Sequence, residues 1–141
     1  MQPNILAFLQ HNVFLVLVCV VSGIMLIWPI IQKALSGSKE VSVQQAVQLI
    51  NRRDAVVLDV RDAAEFAAGH LPNARHIPAG ELDKRVKELE KFKQRPIVVV
   101  CQTGSRSASA CGRLRKGGFP EVVNLKGGIL GWQQASMPIE K

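Results

Sequence analysis

A chain of 141 residues has room for one domain of common size, and its three cysteines form no even disulfide framework, which excludes a disulfide-stapled scaffold. The net charge of +7 would suit nucleic acid or anionic lipid, but most basic residues alternate with acidic ones, as in ELDKRVKELEKFK, and aromatics for base stacking are few. No nucleic-acid partner is therefore expected, and attraction to anionic headgroups is secondary to a solvated surface.

The first Lys, Arg, Asp or Glu is Lys33, so the chain has two regimes. Val13 to Ile31, VFLVLVCVVSGIMLIWPII, is 19 residues with Ser22 as its one polar side chain. At roughly 1.5 Å per residue it extends about 28 Å, close to the roughly 30 Å of a bilayer's hydrocarbon core. A transmembrane helix over 13–31 is predicted, after a short non-cytoplasmic N-terminus of residues 1–12. A small domain seldom surrounds so long an apolar run on every side, which disfavours a core helix. A cleaved signal peptide is the rival reading. Met1 to Asn12 lacks the usual basic n-region and the run exceeds an ordinary h-region, while AlaLeuSer at 34–36 offers a cleavage site. Basic residues follow the run, at Lys33, Lys39, Arg52 and Arg53, so the positive-inside rule predicts a single pass of the inner membrane with the C-terminal part in the cytoplasm. Cys19 has no evident partner, and free thiols in a reducing compartment fit the cysteine usage.

Residues 32–40, QKALSGSKE, read as a linker. Beyond it the elements alternate. Val43 to Asn51 places Val43, Val47 and Ile50 on one helical face, and the strand AVVLDV follows. AAEFAAG is a short helix stopping at Gly69, and ARHIP a brief extended piece. Glu81 to Lys93 sets Leu82, Val86, Leu89 and Phe92 at steps of four and three, which predicts one amphipathic helix. PIVVVC is a continuous apolar strand of the kind buried on both faces of a parallel sheet. Ser105 to Lys116 predicts a helix, EVVNL a last strand, and GGILGWQQAS a last short helix. The fold class is α/β, a small doubly wound parallel-sheet domain over residues 41–138.

In such sheets ligands bind where a strand's C-terminal end passes into a helix. Cys101 lies at such an end, and Gln102, Thr103, Gly104 and Ser105 are small or flexible enough for successive backbone N–H groups to turn toward its sulfur. A helix N-terminus and the nearby Arg106 favour thiolate over thiol, so a nucleophilic Cys101 is expected. Cys111 falls inside the following helix with no comparable loop and reads as packing.

The stretch LDVRDAAEFAAGHLPNARHIP, Leu58 to Pro78, resembles the signature of rhodanese-like domains at Asp59, Val60, Arg61, Glu65, Phe66, Gly69, His70, Pro72, Ala74, Ile77 and Pro78. CQTGSRS resembles the family's active-site loop and LKGGILGWQQASMP its C-terminal Gly-Gly and Trp segment. The resemblance covers nearly all of Val41 to Pro138 and points to the membrane-anchored bacterial single-domain type.

It implies a sulfurtransferase in which Cys101 takes the outer sulfur of a thiosulfate or persulfide donor, holds it as a persulfide, and passes it to a thiol or other nucleophile. The backbone N–H groups of Gln102 to Arg106 would bind the anion, Arg106 would add positive charge and hold the loop, and neither metal nor organic cofactor would be required. Cys101 to Arg106 is a Cys-x4-Arg loop, the sulfurtransferase size, whereas the related phosphatases use Cys-x5-Arg to cradle a phosphate. Gln102 stands where thiosulfate-preferring members often carry a basic residue. Asp59 and Arg61 are supporting candidates, with structural ion pairing the plainer reading. His70 reads as a satisfied turn residue and Trp132 as core, and no partner is evident for His11 or His76. A second class of function is an interaction module that uses this fold to bind a membrane protein partner, with the cysteine dispensable.

Overall fold

The computed structural model describes residues 4–35 and 38–141, which divide into two compact units. The N-terminal unit is helical: α1 (Ile5–His11) and α2 (Val13–Leu35). Asn12 joins them, its backbone N–H and its side-chain Nδ2 both donating to the Phe8 carbonyl. Val13 to Ile31 is long and apolar enough to cross a bilayer, and none of it is buried within the protein. α2 continues past Ile31 into the stretch expected to be linker. Ser36 and Gly37, and with them the end of the cleavage-site reading at 34–36, lie outside the described residues.

The second unit has the predicted α/β class. Its strands are β1 (Lys39–Val41), β2 (Val56–Asp59), β3 (Arg75–His76), β4 (Ile97–Val100) and β5 (Val122–Leu125), in the order β1-β5-β4-β2-β3 with every pair parallel. The helices are α3 (Val43–Arg53), α4 (Ala63–Ala68), α5 (Leu82–Arg85), α6 (Ser105–Lys116) and α7 (Gly128–Gln134), with a 3-10 helix over Val86–Phe92. β4 lies centrally, registered with β2 (Val98 beside Val57) and with β5 (Val98 beside Val123). Its four residues are completely buried because apolar layers cover both faces of the sheet. On one face Leu58, Ile97 and Val99 pack with Leu82, Leu89, Phe92 and Leu114; on the other Val57, Val98, Val100 and Leu125 pack with Ala46, Ile129 and Trp132. This two-sided burial is the physical reason for the unbroken run PIVVVC.

Two boundaries differ from the sequence reading. Lys39 and Glu40, placed in the linker, form edge strand β1 with Val41 against β5. Only Val41 of the three is buried, so no apolar alternation marked the strand. The expected single helix over 81–93 is one turn of α-helix followed by 3-10 helix. Val86, Leu89 and Phe92 recur every three residues, which lines up one face of a helix with three residues per turn.

Local chemistry sets the other ends. Ser42 and Gln45 form a reciprocal capping box at the start of α3, and Asp62 and Glu65 do the same for α4. Beyond Pro138, Glu140 exchanges backbone bonds of 2.8 and 2.9 Å with His70, tying the C-terminal segment to the turn after α4.

Candidate active site

β4 delivers Cys101 to the C-terminal edge of the sheet, where it is fully buried at the start of the loop into α6. Gly104 is the N-cap of α6 with φ +105°, a left-handed value that side chains resist, and this turns its N–H back onto Cys101 Sγ at 3.1 Å. Cys101 Sγ is also 3.2 Å from Ser107 Oγ. Burial pushes the thiol up, but the Ser107 hydroxyl, when turned to the ionised sulfur, and the backbone N–H groups of Ser107, Gly104 and Thr103 outweigh it and bring the Cys101 pKa below its ordinary value. Deeper in the same helix, burial pushes Cys111 up to about 12, as suits a packing residue.

The Gly-Gly segment supports this loop from below. Gly128 has φ +58°, and a Cβ there would stand 2.3 Å from the Cys101 carbonyl and 2.6 Å from that of Gln102. The close approach lets Ile129 and Leu130, in the first turn of α7, donate their N–H groups to those two carbonyls at 2.9 and 3.3 Å. The loop is thus fixed from both ends, its N–H groups by the sulfur and its carbonyls by α7.

The predicted site residues do not all meet at the sulfur. Cys101 and Gly104 meet at the sulfur, with Thr103 contributing its backbone; the cradle is completed by Ser107, one residue beyond the expected span of Gln102 to Arg106. Gln102 is half-buried on the loop surface, whereas Thr103 and Ser105 expose their side chains to solvent.

Arg106 makes its side-chain hydrogen bonds to α4. Its guanidinium forms a two-pronged pair with Glu65 of α4, at 3.0 and 2.9 Å, with Asp62 3.9 Å away. It therefore fastens the loop to α4, and the hydrogen bonds on the sulfur come from Gly104 and Ser107. Arg106 and the Asp62 backbone hold the Glu65 carboxyl down to about 2. The Asp59–Arg61 pair is buried and closed on itself: Arg61 Nε lies 3.0 Å from both carboxylate oxygens, and its far nitrogen donates to Asp59 at 2.6 Å and to the Gly69 carbonyl at 2.7 Å. The pair's charges thus satisfy each other, with the Gly69 carbonyl as a further acceptor.

Two histidines stack on the Phe66 ring, His70 at 3.9 Å and His76 at 4.5 Å. His70 Nδ1 bonds the Phe66 carbonyl, and His76, for which the sequence offered no partner, bonds the Arg61 carbonyl at 2.7 Å. Trp132 is core, its Nε1 donating to the Pro138 carbonyl.

Sequence reasoning missed Ser107, Asn124 and the role of Glu65. Ser107 donates to Asn124 Oδ1 at 2.5 Å, and Asn124 Nδ2 donates to the Gly104 carbonyl at 2.9 Å. A polar Asn inside the otherwise apolar strand VVNL was the available signal, since a buried amide needs partners.

Known proteins resemble both the sequence and this architecture. A sulfurtransferase of Allochromatium vinosum is 36% identical over 92 residues, covering 65% of this chain and 84% of that protein. The putative sulfur carrier protein YrkF of Bacillus subtilis is 34% identical over 98 residues, covering 69% of this chain and 52% of that protein. The crystal structure of a rhodanese-related protein from Thermoplasma volcanium superposes with a TM-score of 0.63 at 31% identity, over 72% of this chain and 97% of that one. These relatives support a sulfurtransferase-type role. A family model described as Rhodanese-like domain matches residues 42–135, the span from the α3 cap to the end of α7 that builds and supports the Cys101 loop, and the chain belongs to that family.

Proposed function

We propose that the chain is a membrane-anchored sulfurtransferase that carries sulfane sulfur as a Cys101 persulfide from a thiosulfate or persulfide donor to a thiol or other nucleophilic acceptor. The observation that carries this reading is the cysteine at the end of β4 whose sulfur receives the Gly104 N–H at 3.1 Å and faces the Ser107 hydroxyl at 3.2 Å. The Gly104 N–H, which donates to the sulfur, favours the thiolate, the attacking species.

The thiolate attacks the donor's outer sulfur; the new Sγ–S bond forms as the donor's bond to that sulfur breaks and its electron pair leaves with the donor fragment. A nucleophilic acceptor then attacks the outer sulfur and returns the pair to Cys101 Sγ. Fixed N–H groups of the loop stabilise the anion in both displacements without rearranging. Gln102 adds no charge for a dianion, so persulfide donors suit this loop better than thiosulfate. The Cys101–Arg106 loop has the sulfurtransferase size, and Arg106 serves by locking it to Glu65.

Exposed apolar side chains along Val13–Ile31 support a single-pass anchor, and the basic residues that follow in sequence favour the cytoplasmic side of the inner membrane for the catalytic unit. Alkaline carbonate is expected to leave the intact chain in the membrane pellet; release of a shortened chain would show cleavage instead.

Intact-protein mass spectrometry tests the chemistry. Full-length chain in detergent micelles, incubated with thiosulfate or separately with polysulfide, is expected to gain one sulfur, about 32 Da, lost again on adding a thiol and absent from Cys101→Ser. No gain in folded, reduced protein would overturn the transferase reading and favour an interaction module for which Cys101 is dispensable.

A further inference from the structure

Beneath Cys101 lies a chain of buried polar groups that ends on β5. The sulfur contacts Ser107 Oγ at 3.2 Å, the Ser107 hydroxyl donates to Asn124 Oδ1 at 2.5 Å, and Asn124 Nδ2 donates to the Gly104 carbonyl at 2.9 Å. Ser107 and Asn124 are both fully buried. The amide's orientation is fixed, because turning it over would set Oδ1 against the Gly104 carbonyl, acceptor facing acceptor. A serine hydroxyl has one proton to give. While Asn124 receives it, Ser107 can only accept from the sulfur, so this arrangement belongs to a neutral thiol: S–H to Ser107, O–H to Asn124.

Ionisation reverses the middle link. A thiolate has no proton and gains from charge-assisted bonds, so Ser107 turns its O–H to the sulfur and Asn124 Oδ1 is left buried without a donor. Sulfur capture reverses it again. In the persulfide the charge resides on the outer sulfur, Sγ becomes a weak neutral acceptor, and the hydroxyl returns to Asn124.

We propose that Asn124 is a positioning residue for sulfur transfer, holding the Ser107 hydroxyl while Cys101 is a thiol or a persulfide and yielding it only to the thiolate. This rests on the sulfurtransferase reading above and adds direction to it, because the empty thiolate is disfavoured relative to the loaded persulfide. In loading from a persulfide donor, the thiol proton first passes to solvent, the Sγ–S bond forms, and the donor's S–S bond breaks with its electron pair leaving on the donor thiolate. The charged and titratable groups around the loop are otherwise committed. Arg106 on α6 is engaged by Glu65, Arg61 at the end of β2 by Asp59 and Gly69, Cys111 is a buried thiol, and α7 contributes the backbone N–H groups of Ile129 and Leu130.

The test is the pH dependence of Cys101 alkylation by iodoacetamide, followed by peptide mass in full-length chain in micelles. Asn124→Leu removes both the acceptor for Ser107 and the bond to Gly104, whereas a buried aspartic acid protonates against the Gly104 carbonyl and keeps both, so Asn124→Asp is the conservative control. Asn124→Leu frees Ser107 for the sulfur and is expected to lower the thiol pKa by about one unit, while Asn124→Asp leaves it close to wild type. A residue that only holds the loop would instead raise it in Asn124→Leu, because the loop N–H groups would leave the sulfur. The Leu effect is expected to vanish in a Ser107→Ala background. A thiol pKa unchanged or raised in Asn124→Leu, or a Leu effect that survives Ser107→Ala, would overturn the proposal. Should Asn124→Leu fail to fold, isotope-labelled wild type decides: the Asn124 side-chain amide signals are expected to move as Cys101 ionises and to return on persulfidation, and unmoved signals would sink the idea. Absence of any persulfide would remove the transferase reading while leaving the alkylation result standing.

Discussion

β4 and α2 are both unbroken apolar stretches, yet they end in opposite surroundings. Ile97 to Val100 are completely buried, bonded to a strand on each side and covered on both faces of the sheet, whereas none of Val13 to Ile31 is buried within the protein. Four residues of strand can vanish into the middle layer of a small unit. A 19-residue apolar helix is about as long as a bilayer core is thick. Length and backbone pairing, more than apolarity, separate the two.

The same substitution in each region breaks or sharpens that contrast. Val99→Asp buries a charge in β4 with no partner and is expected to cost about 3–5 kcal/mol, enough to lower the melting temperature of the second unit in micelles by roughly 15–30 °C. Val20→Asp is expected to leave that melting unchanged and to reduce membrane retention, since a central carboxylate costs about 3 kcal/mol of insertion. If both variants melted alike, the distinction drawn between the regions would fail.

Glycine offers a smaller comparison. Gly128→Ala drives a Cβ into the Cys101 carbonyl at a left-handed φ, with an expected loss of about 2–3 kcal/mol and slower alkylation of Cys101, while Gly23→Ala in α2 meets nothing within 4 Å and is expected to be silent in both assays. Equal effects at the two sites would deny that α7 supports the loop.

The smallest effect belongs to the Glu65–Arg106 pair. Its partners are 33% and 40% exposed, so solvent screening limits Glu65→Gln to about 1 kcal/mol or less. The sign is set by a folded pKa of about 2 against an ordinary 4.5: the contribution is full above the unfolded value and is lost as pH falls toward about 2. Acid titration of stability in wild type and Glu65→Gln is expected to converge at the low end of that window. Curves that instead diverge there would remove the pair from the account.

What could be read without coordinates was carried by neighbours in the chain. The long apolar helix at Val13–Ile31, the α/β alternation and the loop CQTGSRS depend on run length, periodicity and local turn chemistry, all of which a linear string displays. β1 was hidden because a three-residue edge strand with one buried side chain has no pattern of its own. The site's supporting contacts were hidden for another reason. Ser107 meets Asn124 across 17 positions and Arg106 meets Glu65 across 41, while Gly128 lies against the Cys101 carbonyl only because α7 follows the strand paired beside β4. The sequence by itself determined the kind of fold and the place of Cys101 at the end of its central strand; which hydrogen bonds act on that sulfur, and that Arg106 turns to α4, was decided by sheet order, because a parallel sheet brings together residues whose separation no local periodicity records.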